Sequence, residues 1–285
     1  MIKSNKILAL QTVCLIFWCN CSPRLAAGQN VTVGNAVPVS QLVSMDQIDH
    51  SIWNSILEKY VDEQGRVDYQ GLTASTEDRE SLDRYLKLLS TASRSAPASR
   101  ESTLAFWINA YNAVTVVGIV REYPTSSIRN HTAKLFGYNI WKNLLLQVGD
   151  STISLHDIEH EVLRKMQEPR IHFAIVCASH SCPRLLNQAY TSKKLESQLM
   201  ENSKAFFANP ENFRHDRELQ RFEVSAIMDW YAEDFGVDQA AQLTAIARFL
   251  PTADAQVAAA QNSVSVAYLE YDWSLNEQPP SEPKK

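Results

Sequence analysis

Leu104-Ala105-Phe106-Trp107-Ile108-Asn109-Ala110-Tyr111-Asn112-Ala113-Val114-Thr115-Val116-Val117-Gly118-Ile119-Val120 is the stretch whose reading decides the fold. It runs 17 residues without a charge. A surface helix carries one apolar stripe, whereas this segment is apolar nearly all round, so it reads as a helix covered on every side by its own domain. Pro124 follows its end. The rest of the chain must then supply the cover. Upstream, Ile48, Ile52, Ile56 and Tyr60, with Trp53 alongside, keep helical spacing, and Leu82, Tyr85, Leu86 and Leu89 repeat it. Asp62-Glu63-Gln64-Gly65 breaks the first of these, and Arg66-Val67-Asp68-Tyr69 reads as a short extended piece.

Downstream, Leu144 to Val148 and Ser151 to Ser154 flank Gly149-Asp150 as a hairpin, with Trp141 before it as a core anchor. Ser154-Leu155-His156-Asp157 is a capping-box pattern and predicts a helix over 156–166, ended by Pro169. Ile171 to Cys177 is β-branched and aromatic and reads as a strand. Ala178-Ser179-His180-Ser181-Cys182 is a polar turn, and Pro183 suits the first position of a following helix. Further helices are predicted over 192–208, 226–235 and 240–250, the second capped by Ser225 and stopped by Gly236. Strands are predicted over 219–224 and 263–269. Helices and strands interleave without a strict βαβ rhythm. The fold class is therefore α+β: a central buried helix and several amphipathic helices packed on a small mixed or antiparallel sheet. Residues 29–47 read as a linker, 48–276 as the globular domain and 277–285 as a disordered tail.

Composition narrows the function. The chain has 285 residues, 45% of them hydrophobic and 21% charged, with a formal charge of −5. That is globular composition without the basic surplus of a nucleic-acid binder, so no nucleic-acid partner is expected. Eight glycines and no phosphate-binding loop argue against a nucleotide fold. No cofactor is expected.

The N-terminus reads as an address. Lys3 and Lys6 precede an apolar run from Ile7 to Cys19, and Ala26-Ala27-Gly28 follows it. That is the plan of a secretory signal peptide over residues 1–28, with a secreted, periplasmic or extracellular product. The lipoprotein variant on Cys19 or Cys21 fits less well, because Ile16-Phe17-Trp18 is bulky. Membrane contact is expected only through this segment, uncleaved or lipidated. Its removal leaves Cys177 and Cys182 as the cysteines of the mature chain. In an exported protein such a pair either closes a small disulfide loop or keeps a reactive thiol. In a eukaryotic host, Asn30-Val31-Thr32 and Asn130-His131-Thr132 are glycosylation patterns.

Three groups of residues carry chemistry. The turn from Cys177 to Pro183 puts thiols between a strand tip and a helix start, where free N–H groups and the helix dipole lower a thiol pKa. His156-Asp157-Ile158-Glu159-His160 places two imidazoles one helical turn apart. It fits the H-x-x-E-H pattern of zinc proteases, so His156 and His160 are weak metal candidates, but no third ligand announces itself. Without metal, His160 is a general base for a nearby Cys, and Glu159 its orienting carboxylate. Asn109 and Asn112 share a face of the buried helix and must join a polar network, as helix-to-loop staples or as catalytic support. Trp107, Ser179 and Ser181 complete the candidate binding set. Tyr111, Trp230 and Tyr231 read as core, and Asp229, Glu233 and Asp234 as a solvated helix face.

Several blocks in order carry a family resemblance: Phe106 to Ala113; Leu155 to His160 with Leu163-Arg164; His172-Phe173-Ala174 through Cys177, Ser179 and Ser181-Cys182-Pro183; Trp230-Tyr231 with Asp234-Phe235-Gly236; and Tyr271 to Asn276. The chain resembles the DUF547 family, a domain of unknown function, over roughly residues 48–276. The resemblance implies that Glu159, His160, both cysteines and the Asn pair belong to the family pattern, His156 less firmly. Members are often exported bacterial proteins, and this chain looks like the stand-alone secreted type. The residues together point to a cysteine-dependent hydrolase or acyl transferase acting on an amide or thioester of a small molecule or peptide. Cys177 or Cys182 is the nucleophile in that reading. The alternative is a non-catalytic secreted binding module with a structural Cys177–Cys182 disulfide.

Overall fold

The computed structural model describes residues 28–132 and 138–279. The N-terminal segment with Cys14, Cys19 and Cys21, and residues 280–285, lie outside the described residues. In chain order the elements are β1 (Val31–Val33), α1 (Ser51–Tyr60), α2 (Tyr69–Ala74), α3 (Thr76–Leu89), α4 (Arg100–Glu122), α5 (Ile140–Asn143), β2 (Leu144–Val148), β3 (Ser151–Ser154) and α6 (Leu155–Asp157). After a π-helical turn (Ile158–Leu163) come α7 (Leu195–Ala208), β4 (Phe213–Asp216), β5 (Arg221–Ser225), α8 (Ile227–Trp230), α9 (Ala232–Phe235), α10 (Gln239–Ala247), α11 (Ala253–Ala260) and β6 (Ser265–Leu269).

The uncharged stretch is α4. Ser99 caps it by accepting from the Ser102 N–H, and every residue from Leu104 to Ile119 is buried. The helix is long and apolar enough to cross a membrane, but 89% of its most apolar window is buried inside the protein, as befits a core helix. α3 packs on α4, and α1 on α3. The first sheet has the order β1-β2-β3: β1 joins in parallel (Val31↔Leu144) and β3 closes the hairpin (Leu146↔Ile153). Leu144, Leu146 and Val148 point inward from β2 in the period of two that a half-buried strand requires. The second sheet has the order β4-β5-β6, with β4 antiparallel (Phe213↔Val224) and β6 parallel (Phe222↔Val266) to β5. The fold is α+β, with two small mixed sheets where one was expected.

Each sheet has its own core. The first surrounds α4; the second is rich in phenylalanine and holds Phe173, Phe206, Phe207, Phe222 and Phe249. Ile171 and Ala174 belong to the first core and Phe173 to the second. The chain from 171 onward therefore runs along the seam between them.

That seam departs from the sequence reading. The strand expected over Ile171 to Cys177 is a 3-10 helix over Pro169–Phe173 followed by irregular chain, and no helix starts at Pro183; the next one begins at Leu195. The cause lies in where the backbone hydrogen bonds go. Asn112 on α4 donates to Ala174 O (3.0 Å) and accepts from Val176 N (2.9 Å), taking the groups a neighbouring strand would have used. Asn109 brackets Tyr190 in the same way, at 2.8 and 2.9 Å. Asn202 on α7 donates to Phe173 O and Arg184 O, and Gln198 to Ala189 O. Buried amides from two helices thus replace a sheet ladder, and propensity yields to this context.

Other corrections are smaller. Residues 29–47 are not a free linker: β1 covers the open edge of β2, and Met45 enters the first core. Order extends past 276, since Glu277 bridges Val67 and the Gln278 N–H donates to Val67 O. The helix expected over 226–235 breaks at Tyr231 into α8 and α9. α2, α11 and β4 were not anticipated.

The turn at Gly65 supports the seam from outside. Gly65 has φ +79°, and a Cβ there would lie 2.5 Å from Arg184 Cβ and from Leu185 N, which is backbone and cannot move aside. Gly65→Ala combines left-handed strain with that overlap and is expected to cost about 2–4 kcal/mol. Urea unfolding reads the loss, and a change under about 0.5 kcal/mol contradicts the packing described.

Candidate functional site

A cavity of about 330 Å³ opens where α4, α5, the residues 155–166, the seam, α8 and the C-terminal segment meet. Cys177, Cys182, Glu159, His160 and His156 all line it. So do Trp141, Trp230 and Tyr231, which the sequence reading took as core, and His172, Tyr271 and Trp273, to which it gave no role in a site.

The two cysteines sit at the ends of a tight turn. Ala178 adopts φ +57°, unusual for a residue with a side chain, and Asn276 N–H holds its carbonyl. The C-terminal segment pairs along the turn through His180 N to Ser274 O, Ser181 N to Asp272 O and a Ser179–Leu275 bridge. This pairing delivers Tyr271 to the sulfurs. The Cys177 N–H donates to Cys182 Sγ (2.9 Å), and the Tyr271 hydroxyl lies 3.3 Å from Cys182 Sγ and 3.2 Å from Cys177 Sγ. Ser179 Oγ contacts Cys177 Sγ (3.0 Å) and the Tyr271 hydroxyl (2.8 Å). Both cysteines are free thiols.

These contacts separate the two sulfurs electrically. Burial by itself raises the Cys182 pKa. The hydrogen bonds from Cys177, Ser179 and Tyr271, with the Cys177 N–H, outweigh burial and bring it down to about 6. The Cys177 thiol is pushed well up by its hydrogen bond to Cys182 and by burial. The same contacts thus favour the thiolate form on Cys182 and the thiol form on Cys177. The cause differs from the expected one: Cys182 caps no helix, and convergent donors replace the helix dipole.

The imidazoles form a second cluster. The π-helical turn lets the Arg164 N–H reach back five residues to Glu159 O, a local widening often found at functional sites. The Arg164 guanidinium grips Asp234 through two bonds (2.6 and 2.9 Å), contacts Glu233 and donates to His160 Nδ1 (3.1 Å). Arginine only donates, so Nδ1 accepts, and the neutral His160 ring carries its proton on Nε2. Burial holds the His160 pKa down, with His156 and Arg164 acting in the same direction against Glu159. Glu159 does not orient His160 as expected; its Oε2 accepts from the Tyr111 hydroxyl (3.1 Å). His172 donates Nε2–H to Asp234 Oδ2 (2.7 Å) and stacks on Tyr231 at 4.0 Å. Burial lowers the His172 pKa. Burial raises Asp234, yet the bonds from Arg164 and His172 keep it below the ordinary carboxylate range. Asp234 was expected on a solvated face; it is the anchor of this cluster.

Asn109, Asn112 and Trp107 do not line the cavity. Each of the two amides donates to one backbone carbonyl and accepts from one backbone N–H along the seam, and Trp107 packs edge-on against Phe106 in the first core. Ser179 belongs to the sulfur network, and Ser181 Oγ accepts from Asp272 N (2.9 Å), fixing the C-terminal segment. Tyr271, Trp273, Trp141 and Trp230 form an aromatic mouth. Trp230 stacks on Trp273 at 5.7 Å and stays 46% exposed, so it is neither core nor solvated surface but rim. Trp141 meets Trp273 edge-on at 6.5 Å and, half-buried, packs against the first core from this rim. The His156 and His160 rings lie 4.5 Å apart, and among the described residues no three His, Cys, Asp or Glu side chains converge as a metal cluster.

Residues 95–207 match the family model described as Protein of unknown function, DUF547. This segment belongs to the DUF547 family. No curated protein and no solved structure matches the chain. The DUF547 segment contributes Tyr111, Glu159, His160, Arg164, His172 and both cysteines. Tyr231 and Tyr271, which line the cavity, and Asp234, which holds His172, come from beyond it, so the cavity is completed by chain outside the DUF547 match. No local pattern links His172 to Asp234, 62 residues away; the one hint was a lone polar residue inside an apolar run.

Proposed function

We propose that this protein is a cysteine-dependent hydrolase or acyl transferase with Cys182 as nucleophile, exported by its N-terminal segment. The observation that carries the reading is the convergence of donors from Cys177 and Tyr271 on one cavity-lining sulfur. A sulfur so held attacks without waiting for a base.

The histidines then serve the steps around the attack. His160 presents Nε2–H, the form that stabilises a developing oxyanion rather than one that takes a proton. His172, its Nε2–H engaged by Asp234, keeps Nδ1 as the basic nitrogen, as in hydrolases where a carboxylate fixes the tautomer of the base. The base role expected for His160 therefore passes to His172. Both imidazoles are held neutral, so no imidazolium stands ready to protonate a departing amine. A thioester, whose thiolate leaves unprotonated, fits this site better than an amide. The aromatic mouth suits a substrate with an apolar or planar body, a small molecule or peptide.

The test is to incubate the full chain with a short acyl thioester and follow it by mass. An acyl group on Cys182 with release of thiol supports the reading; no adduct, or one on another cysteine, overturns it. His172→Asn is expected to slow deacylation by about 10²–10⁴ while acylation persists, so the adduct accumulates. Equal slowing of both steps removes His172 as the base for the attacking water or acceptor. Cleavage near Ala27 or Gly28, read from the N-terminal residue of the exported product, tests the export reading.

A further inference from the structure

Acyl transfer uses one sulfur and leaves the Cys177 thiol with no role beyond donating a hydrogen bond. Yet Cys177 is partly exposed in the same cavity wall, and the turn holds it against Cys182 without a bond between them. We propose that the pair reduces hydroperoxides, Cys182 attacking the peroxide and Cys177 resolving the product into a disulfide. The proposal shares the Cys182 nucleophile with the acyl reading but needs no acyl chemistry.

Three features carry it. The Cys177 N–H points at Cys182 Sγ (2.9 Å), and one hydroxyl, that of Tyr271, is within 3.3 Å of both sulfurs. The sulfurs are therefore close neighbours across a five-residue step whose left-handed Ala178 is held by Asn276. The Tyr271 and Ser179 hydroxyls, 2.8 Å apart, can donate to a peroxide oxygen beside the attacked one. The cavity opens through the aromatic mouth and has room for a small hydroperoxide. A cysteine so placed next to a resolving partner is the arrangement of redox-active thiols.

The chemistry balances. The Cys182 thiolate attacks the terminal oxygen of R–O–O–H; the S–O bond forms, the O–O bond breaks, and R–O⁻ leaves. R–O⁻ takes up a proton equivalent to the one Cys182 lost on ionising, giving the alcohol. The Cys177 sulfur then attacks the sulfenic sulfur, the S–O bond breaks, and hydroxide leaves with the Cys177 proton as water. The two sulfurs lose two electrons and the peroxide gains them. A dithiol reductant returns the pair by exchange.

The experiment treats the reduced full chain at pH 7 with one equivalent of hydrogen peroxide, with dimedone as the sulfenic-acid trap. Peptide mapping by mass keeps Cys177 and Cys182 distinct from Cys14, Cys19 and Cys21. The wild type is expected to form the 177–182 disulfide at least about tenfold faster than free cysteine is oxidised, because its attacking sulfur is ionised. Cys177→Ser and Cys177→Ala are expected to stop at dimedone-labelled Cys182, and Cys182→Ser to leave Cys177 reduced. Two reduced thiols in the wild type overturn the proposal. So does an equal dimedone yield in wild type and Cys177 variants. Acylation of Cys182 without peroxide oxidation leaves the acyl reading standing and this one fallen; oxidation without acylation is the reverse.

Discussion

Cys182→Ser is expected to abolish thioester turnover, a loss of roughly 10³-fold or more, because the nucleophile itself is removed. The companion measurement is alkylation of the wild-type thiols by iodoacetamide against pH. Cys182 should be half-ionised near pH 6, as its donors dictate, where a free thiol needs about pH 8.5. Labelling below pH 7 should fall on Cys182 and spare Cys177, whose thiol form is favoured. Tyr271→Phe removes a donor to the thiolate. That disfavours the charged form, so the midpoint should rise, by about one unit. A midpoint near 8.5, or one indifferent to Tyr271→Phe, would falsify the division between the two sulfurs.

Asn112→Leu is expected to be among the most destabilising single changes considered. Leucine fills nearly the same space but satisfies neither Ala174 O nor Val176 N, both buried. Each stranded group costs about 1–3 kcal/mol, so the expected loss is about 3–5 kcal/mol, a fall of about 1–2 M in the urea midpoint. The same change should loosen the chain that presents the Cys177 N–H and raise the Cys182 midpoint. Asn109→Leu provides the contrast. It strands two groups at Tyr190, away from the sulfurs, and should cost similar stability while leaving the midpoint near 6. If Asn112→Leu costs under about 1 kcal/mol, the amide staple is not what holds the seam.

Much of the site was legible because its residues announce themselves. Cysteines are few, His156 to His160 repeats at helical spacing, and an amide inside an apolar helix demands a partner. All of Cys177, Cys182, Glu159 and His160 do line one cavity. The pairings among them were not legible. Glu159 beside His160 looked like its orienting partner, yet Tyr111 takes Glu159 and Arg164 takes His160. Adjacent residues in a helix point in different directions, and the π-helical turn changes those directions again. Trp230 and Asp234 were assigned by residue type to core and to solvent. Their true places depend on Trp273 and His172, which the fold brings to them from far along the chain.

The sequence by itself determined the α+β class and the central helix, because an uncharged 17-residue run has one stable home, and periodicity marked most of the helices around it. It also determined that two thiols five residues apart would share a turn. Only the tertiary structure decided which sulfur the hydrogen bonds favour as thiolate, which histidine meets Asp234, and that the seam is neither strand nor regular α-helix. The reason is common to all three. Each depends on a donor or acceptor from far along the chain: Tyr271 for Cys182, Asp234 for His172, Asn112 for residues 174–176. Propensity and spacing carry local information, whereas the partner of a buried polar group is set by the packing that buries it.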